Sequence, residues 1–318
     1  MAPNSTTPLV ERDHHLTLLG GAARSVRSNG ALLALVTGDA GIGKSALHAA
    51  FQEQLDGDWQ VEHVHGYHTD LSFDAPFGDL ALDLDLDLEP AEALAAAVAR
   101  SCRARTAEGP LLLVVEDLHY LDPITVSVLA ELLDRLADAP VLVLATSRRG
   151  SPSGDASLHD ALTTLRAHPS VLELELSPLT VAGVRALIVA AGERSTSTGV
   201  DATELHHRTS GNPFFVDALL RADPTDPSVP WTVAEMVLEL LTDLGAAARA
   251  AAELLAVEGG PLPVAFLDDL TGTDVVGRLE RAGLAVIVES HESEGTARLR
   301  HALVAESVRA ILDPVTLA

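Results

Sequence analysis

One lysine occurs in this chain, Lys44, and it stands in the string Gly38-Asp39-Ala40-Gly41-Ile42-Gly43-Lys44-Ser45. The other 20 of its 21 Lys and Arg residues are arginine. Both side chains supply positive charge, so a composition that uses arginine everywhere else marks a position that arginine will not serve. An ammonium is a compact charge on a flexible stem and reaches over a loop to terminal phosphates, where a planar guanidinium does not fit. The string matches G-x-x-x-x-G-K-[ST], and its flanks match as well. An apolar run, Leu32 to Thr37, precedes it and a helix-like run, Ala46 to Leu55, follows. Strand, glycine-rich turn and helix in that order constrain the fold to an α/β layer. In it the glycines let backbone N–H groups turn inward around an anion, and the helix N-terminus adds its positive end.

Apolar runs and helical segments alternate from about residue 9 to 178, the pattern of a parallel sheet covered on both faces. The expected strands are Leu32 to Thr37, Val61 to Gly66, Leu111 to Glu116, Val141 to Thr146 and Val171 to Leu176. Helices are expected over Val181 to Ala191, Ala202 to His207 and Phe214 to Arg221, broken at Gly211-Asn212-Pro213. A Pro/Asp-rich stretch, Ala222 to Pro230, reads as a linker. Beyond it, amphipathic helices at roughly 232 to 243, 246 to 257 and 273 to 282 precede two strand-like runs, Leu284 to Glu289 and Ala297 to Arg300. Helices followed by a β-hairpin suggest a winged helix. The domains are therefore set at 1–178, 179–230 and 231–318. The alternating segment Leu82 to Leu88 fits an exposed strand or an acidic loop, and no function is assigned to it.

With 46 acidic residues against 21 basic ones, the formal charge is −25. Such a surface repels the nucleic-acid backbone, and it also keeps a Leu/Ala-rich chain in solution. A single cysteine, Cys102, excludes an internal disulfide framework and a cysteine zinc site. No apolar run approaches the ~20 residues that cross a bilayer, and Met1 to Pro8 lack the pattern of a signal peptide. A cytoplasmic, membrane-free chain is expected. Thirteen histidines form pairs such as His14-His15, His63/His65/His68 and His206-His207, which are read as solvated or hydrogen-bonded rather than metal-binding.

Two further elements join the loop's own residues in its chemistry. Lys44 is placed on the β- and γ-phosphates and the Ser45 hydroxyl on Mg²⁺. The apolar strand Leu111 to Val115 ends in Glu116-Asp117, two carboxylates, one for the metal shell and one to deprotonate an attacking water. Order along the chain assigns Glu116 to the metal and Asp117 to the water, with the exchange of roles left open. The strand Val141 to Thr146 leads into Ser147-Arg148-Arg149, and Arg148 is chosen as the sensor of the γ-phosphate.

On these residues the chain resembles the nucleotide-binding region of signal-transduction ATPases with numerous domains, and more narrowly the large ATP-binding regulators of the LuxR type from actinobacteria. The strings that carry the resemblance are Leu9-Val10-Glu11-Arg12, Gly38 to Ser45, Val115 to Pro123, Ala145 to Arg148, Leu176 to Leu179, Thr209 to Phe215 and Leu299 to Val304. It implies an AAA-like P-loop NTPase sheet with a helical lid and a C-terminal winged helix. It implies ATP or ADP with Mg²⁺ bound along Gly38, Asp39, Ala40, Gly41, Ile42, Gly43, Lys44, Ser45 and Ala46. Val10 and Arg12 would lie against the adenine and ribose, although Glu11 stands where the class usually has glycine. Pro213 would pack near the base. His301 would touch the β-phosphate of ADP, the alternative being a helix-start histidine with no ligand.

The function implied is a slow ATPase working as a switch in a transcriptional regulator, a closed monomer with ADP and self-associating with ATP. DNA would be contacted only through a domain absent from these residues, which stop at Ala318 as the winged-helix region ends. A non-hydrolysing nucleotide sensor or scaffold and a small-molecule kinase are the alternatives.

Overall fold

The computed structural model describes residues 9–65, 90–148, 156–192, 201–223, 228–290 and 293–312. The alternating segment 82–88, His68, Arg149, residues 224–227 of the Pro/Asp-rich stretch and the turn residues 291–292 lie outside them. The chain divides into two compact units. One, the α/β unit, comprises Arg12–Gly38 and Lys44–Leu176; the other, the C-terminal unit, comprises Met1–Glu11, Asp39–Gly43 and Ser177–Ala318.

Five strands build the α/β unit: β1 (Leu32–Thr37), β2 (Gln60–His65), β3 (Leu111–Glu116), β4 (Val141–Ser147) and β5 (Val171–Glu175). They pair in the order β2-β3-β4-β1-β5, and every pairing is parallel. The reason is visible in the residues. Leu111 to Val115 and Val141 to Ala145 are continuous apolar runs, each fully buried, as strands covered on both faces must be. Around them lie α1 (Asp13–Asn29), α2 (Lys44–Gln52), α3 (Pro90–Arg105), α4 (Pro123–Arg135) and α5 (Ala156–Arg166). Helix α1 buries Leu19, Ala22, Ala23 and Val26, one stripe at helical spacing. Helix α4 begins with proline after Asp122, whose carboxylate accepts from the N–H groups of Ile124 and Thr125. Cutting Leu113, fully buried in β3, to alanine is expected to cost about 2–5 kcal/mol.

The order of strands decides where chemistry can gather. β4 lies between β1 and β3, so the carboxyl ends of these three strands are neighbours. The loop after β1, the acids ending β3 and the polar end of β4 therefore share one edge, where open α/β sheets bind ligands.

The C-terminal unit is helical with a small antiparallel sheet. It contains α6 (Val181–Ala191), α7 (Ala202–Thr209), α8 (Pro213–Arg221), α9 (Trp231–Leu244), α10 (Ala246–Glu258), α11 (Val264–Thr271), α12 (Val275–Arg281) and α13 (Ala302–Ile311). Its strands β6 (Leu262–Pro263), β7 (Ala285–Ser290) and β8 (Ser293–Leu299) pair in the order β6-β8-β7. The sequence reading has no element between 258 and 273, where the structure has β6 and α11. A two-residue strand and an eight-residue helix are too short to show a period. The break between α7 and α8 is built from Ser210 and Gly211, both at positive φ. A Cβ on Gly211 would sit 2.1 Å from the carbonyl oxygen of Leu179, so this turn requires glycine.

Candidate nucleotide site

Within the α/β unit, Lys44 opens α2, and its Nζ donates to the carbonyl oxygen of Gly38 at 3.0 Å, folding the ammonium back over the start of the loop. One residue on, the Ser45 hydroxyl donates to Oε2 of Glu116 at 3.3 Å. The same carboxylate oxygen lies 3.3 Å from Nε2 of His48, a buried residue one turn into α2. The hydrogen bond with His48, and then that from Ser45, hold the Glu116 carboxyl below the usual range against the opposing effect of burial.

Asp117 differs from its neighbour in backbone conformation and in the direction of its pKa shift. It leaves the strand at φ 55°, in the left-handed region, and its N–H donates to Oγ1 of Thr146 on β4 at 2.9 Å. Partial burial pushes the Asp117 carboxyl up, while the charges of Lys44 and Arg148 pull it down. Arg148, at the end of β4, donates from Nη2 to the Tyr120 hydroxyl at 2.6 Å, and its guanidinium lies 5.1 Å over the Tyr120 ring. Its backbone N–H donates to Nδ1 of the buried His119 at 3.3 Å. One edge of the sheet thus carries an ammonium, a hydroxyl paired with an ionised carboxylate, a second carboxylate of raised affinity for protons, and a fixed guanidinium.

Within the C-terminal unit lie the remaining loop residues. Nη1 of Arg300 donates to Oδ2 of Asp39 at 2.9 Å, with both side chains mostly buried. Nδ2 of Asn212 donates to the carbonyl oxygen of Ala40 at 2.9 Å, and the N–H of Phe214 to that of Gly41 at 3.2 Å. Gly41 has φ 72°, and a Cβ there would lie 2.8 Å from Cβ of Phe214. Ile42 is buried and anchors the loop. Pro213 is the first residue of α8, after its cap Asn212. His301 is buried with its ring edge-on to Phe215 at 5.3 Å. Burial, helped by the charge of Arg300, lowers its pKa to about 4, so the ring is neutral at neutral pH.

At the N-terminal end, Val10 packs against the cluster of Leu179, Val184 and Leu187, and Arg12 is buried at the start of α1. Glu11 between them has φ 57°. That conformation accounts for a preference for glycine at this position. Glutamate holds it here because its carboxylate accepts from both the N–H and the hydroxyl of Thr180.

Of the expected residues, Lys44, Ser45, Glu116, Asp117 and Arg148 are placed on one edge of the α/β sheet. Gly38 and Ala46 lie beside Lys44 and Ser45, while Gly43 ends the loop. Sequence reasoning passed over His48, Tyr120, Asn212 and Arg300 as site residues. Asn212 carried a signal, an amide preceding a proline at a helix start. The others depend on which strands and helices become neighbours.

Residues 8–144 match the family model of the AAA ATPase domain. No curated protein matches the chain. Among solved structures, the chain is similar to the Aeropyrum pernix ORC2 protein in ADPNP-ADP complexes, at 12% identity over 97% of both chains with a TM-score of 0.52. A signal transduction ATPase with numerous domains and a tetratricopeptide repeat sensor, from Pyrococcus horikoshii, is 16% identical, with 98% of this chain and 45% of that one covered and a TM-score of 0.42. The chain thus spans less than half the length of that protein. A RuvB protein of Thermotoga maritima is 16% identical over 91% of this chain and 92% of its own, with a TM-score of 0.44. At such identities only the fold is shared, and it is the ORC2 likeness that shows it. Domain match and fold together support an AAA-type ATPase nucleotide-binding module in this chain.

Proposed function

We propose that the chain is an ATP/ADP-dependent switch, a slow P-loop ATPase of the kind with numerous domains, serving as the nucleotide-binding module of a transcriptional regulator. The observation that carries this reading is the gathering of Lys44, Ser45, Glu116, Asp117 and Arg148 on the carboxyl edge of one sheet. Lys44 swings from the Gly38 carbonyl to the β- and γ-phosphates of ATP. Ser45 and Glu116 are hard oxygen donors of the type Mg²⁺ takes alongside substrate phosphates, so they fit that ion. Among the described residues no group of three or more His, Cys, Asp and Glu side chains could hold a metal by itself. When bound, Mg²⁺ neutralises charge on the β- and γ-oxygens.

Asp117 orients a water molecule and takes its proton. The water oxygen forms a bond to the γ-phosphorus as the bond to the β–γ bridging oxygen breaks, releasing ADP. A carboxylate whose proton affinity is raised is better matched to this task than Glu116, which stays ionised. Arg148 faces the γ-phosphate. The helices and β-hairpin within residues 231–312 serve as a winged helix. ADP and ATP bias the molecule only through different affinities for its two conformations. ATP favours self-association. A chain of charge −25 leaves DNA contact to another domain.

The test is phosphate release from ATP by the purified chain, with sedimentation in ADP and in ATP. Slow release and ATP-dependent assembly are expected. No release over background sinks the ATPase, and identical sedimentation in the two nucleotides sinks the switch.

A further inference from the structure

A cleft of about 490 Å³ opens inside the C-terminal unit, among α7, the end of α10, β8 and α13. None of residues 39–43 lines it. Its volume falls in the range of small-molecule sites. In a chain of charge −25 its lining is unusual: Arg298, Arg300 and Arg309 against one acid, Glu306. Glu306 is already engaged by Arg208 at 3.3 Å. Arg298 on β8 and Arg300, the residue just past its end, stand two apart and so project to the same side, while Ala297 and Leu299 turn into the core.

Arg300 is paired with Asp39, but no carboxylate lies in ion-pair range of Arg298 or Arg309 among the described residues. Arg309 donates only to the carbonyl oxygen of Ala256, and exposed Arg298 has no hydrogen bond there. The cleft also receives the N-terminus of α13 at Ala302, a ten-residue helix whose first residues have no side-chain cap. His301, which lines the cleft and is only 5% exposed, has a buried Nδ1 without a hydrogen-bond partner. Uncompensated guanidinium charge and uncapped helical N–H groups call for an anion with several oxygens.

We infer that this cleft binds a small phosphate-bearing molecule at a site separate from the phosphate loop. A phosphate offers the arginine forks bidentate oxygens and presents its charge to the helix end. His207, exposed on α7 at the rim, adds a neutral donor or acceptor.

The experiment uses the full chain with Lys44→Ala, which silences the loop, titrated with inorganic pyrophosphate in a calorimeter. One saturable site is expected. Adding Arg298→Ala weakens it at least about tenfold, and Arg298→Lys restores part of the loss, since charge returns without the fork. His207→Ala, also at an exposed position, weakens it less. Absence of pyrophosphate binding in the Lys44→Ala protein overturns the inference, as does an affinity unchanged by Arg298→Ala. Equal affinity for succinate overturns the phosphate assignment. Magnesium–ATP binding by the unaltered chain tests the loop separately, so either reading can fail alone.

Discussion

The phosphate-loop residues have two kinds of partner. In the α/β unit, Lys44 and Ser45 rest on a carbonyl oxygen and a carboxylate, at 3.0 and 3.3 Å. Both contacts are made by exchangeable tips of side chains that an arriving phosphate and cation would take over. In the C-terminal unit, Asp39, Ala40 and Gly41 are gripped by a mostly buried ion pair, a buried asparagine and a helix N–H. Those contacts shape the backbone. A trans peptide points its C=O and N–H in opposite directions. Drawing the Ala40 carbonyl to Asn212 therefore turns the Gly41 N–H the other way. One half of the loop supplies charge, and the other sets the direction of its donors.

If that division is right, changes in the α/β unit alter chemistry and binding while the fold stays put. The largest effect is expected for Asp117→Asn. Turnover should fall by about 10²–10⁴-fold, the usual contribution of a positioned base, with Mg·ATP affinity retained in calorimetry. The pH profile should carry the same signature. The Asp117 carboxyl is pushed up, so turnover is lost as pH falls through a value above the ordinary aspartate range, and the Asn variant shows no such limb. Unchanged turnover would move the base elsewhere.

Next is Lys44→Ala, for which a loss of about 100-fold in Mg·ATP affinity is expected from removing a charge-assisted contact to phosphate. Equal affinity would remove the loop from the site.

Much of this half was legible in the sequence because its residues are local. A strand, a glycine turn and a helix lie within 21 residues of chain, Leu32 to Gln52, and the acids end a strand whose run of apolar residues announces it. The gripping half was not. Arg300 meets Asp39 across 261 residues, and no periodicity encodes such a pairing. His48 reads as one more polar position of an amphipathic helix until the register of β3 brings Glu116 beside it. The left-handed φ of Glu11 was foreshadowed only by the glycine found there in the class it resembles.

A smaller effect is expected for Asn212→Ala in the gripping half. The variant loses the cap of α8 and the bond to Ala40, for about 1–2 kcal/mol of stability, measured by denaturant unfolding. Nucleotide affinity should fall as well, because the Gly41 N–H is no longer turned. A stability loss with full affinity would separate the grip from the site.

The smallest effect should come from His48→Ala, which probes whether the charged half is tuned or merely present. His48 is the largest influence holding Glu116 below the usual range, and burial works against it. Without the imidazole the carboxyl moves up, so the pH below which Glu116 is protonated rises. At neutral pH the carboxyl remains ionised, and Mg·ATP affinity should change only a few-fold. On acidification the variant should lose its magnesium-dependent affinity earlier than the parent does, whereas affinity measured without magnesium should follow one curve for both. If the two magnesium curves also coincide, the Glu116 carboxylate is not a ligand of the cation, and the exchange of roles with Asp117 becomes the reading to pursue.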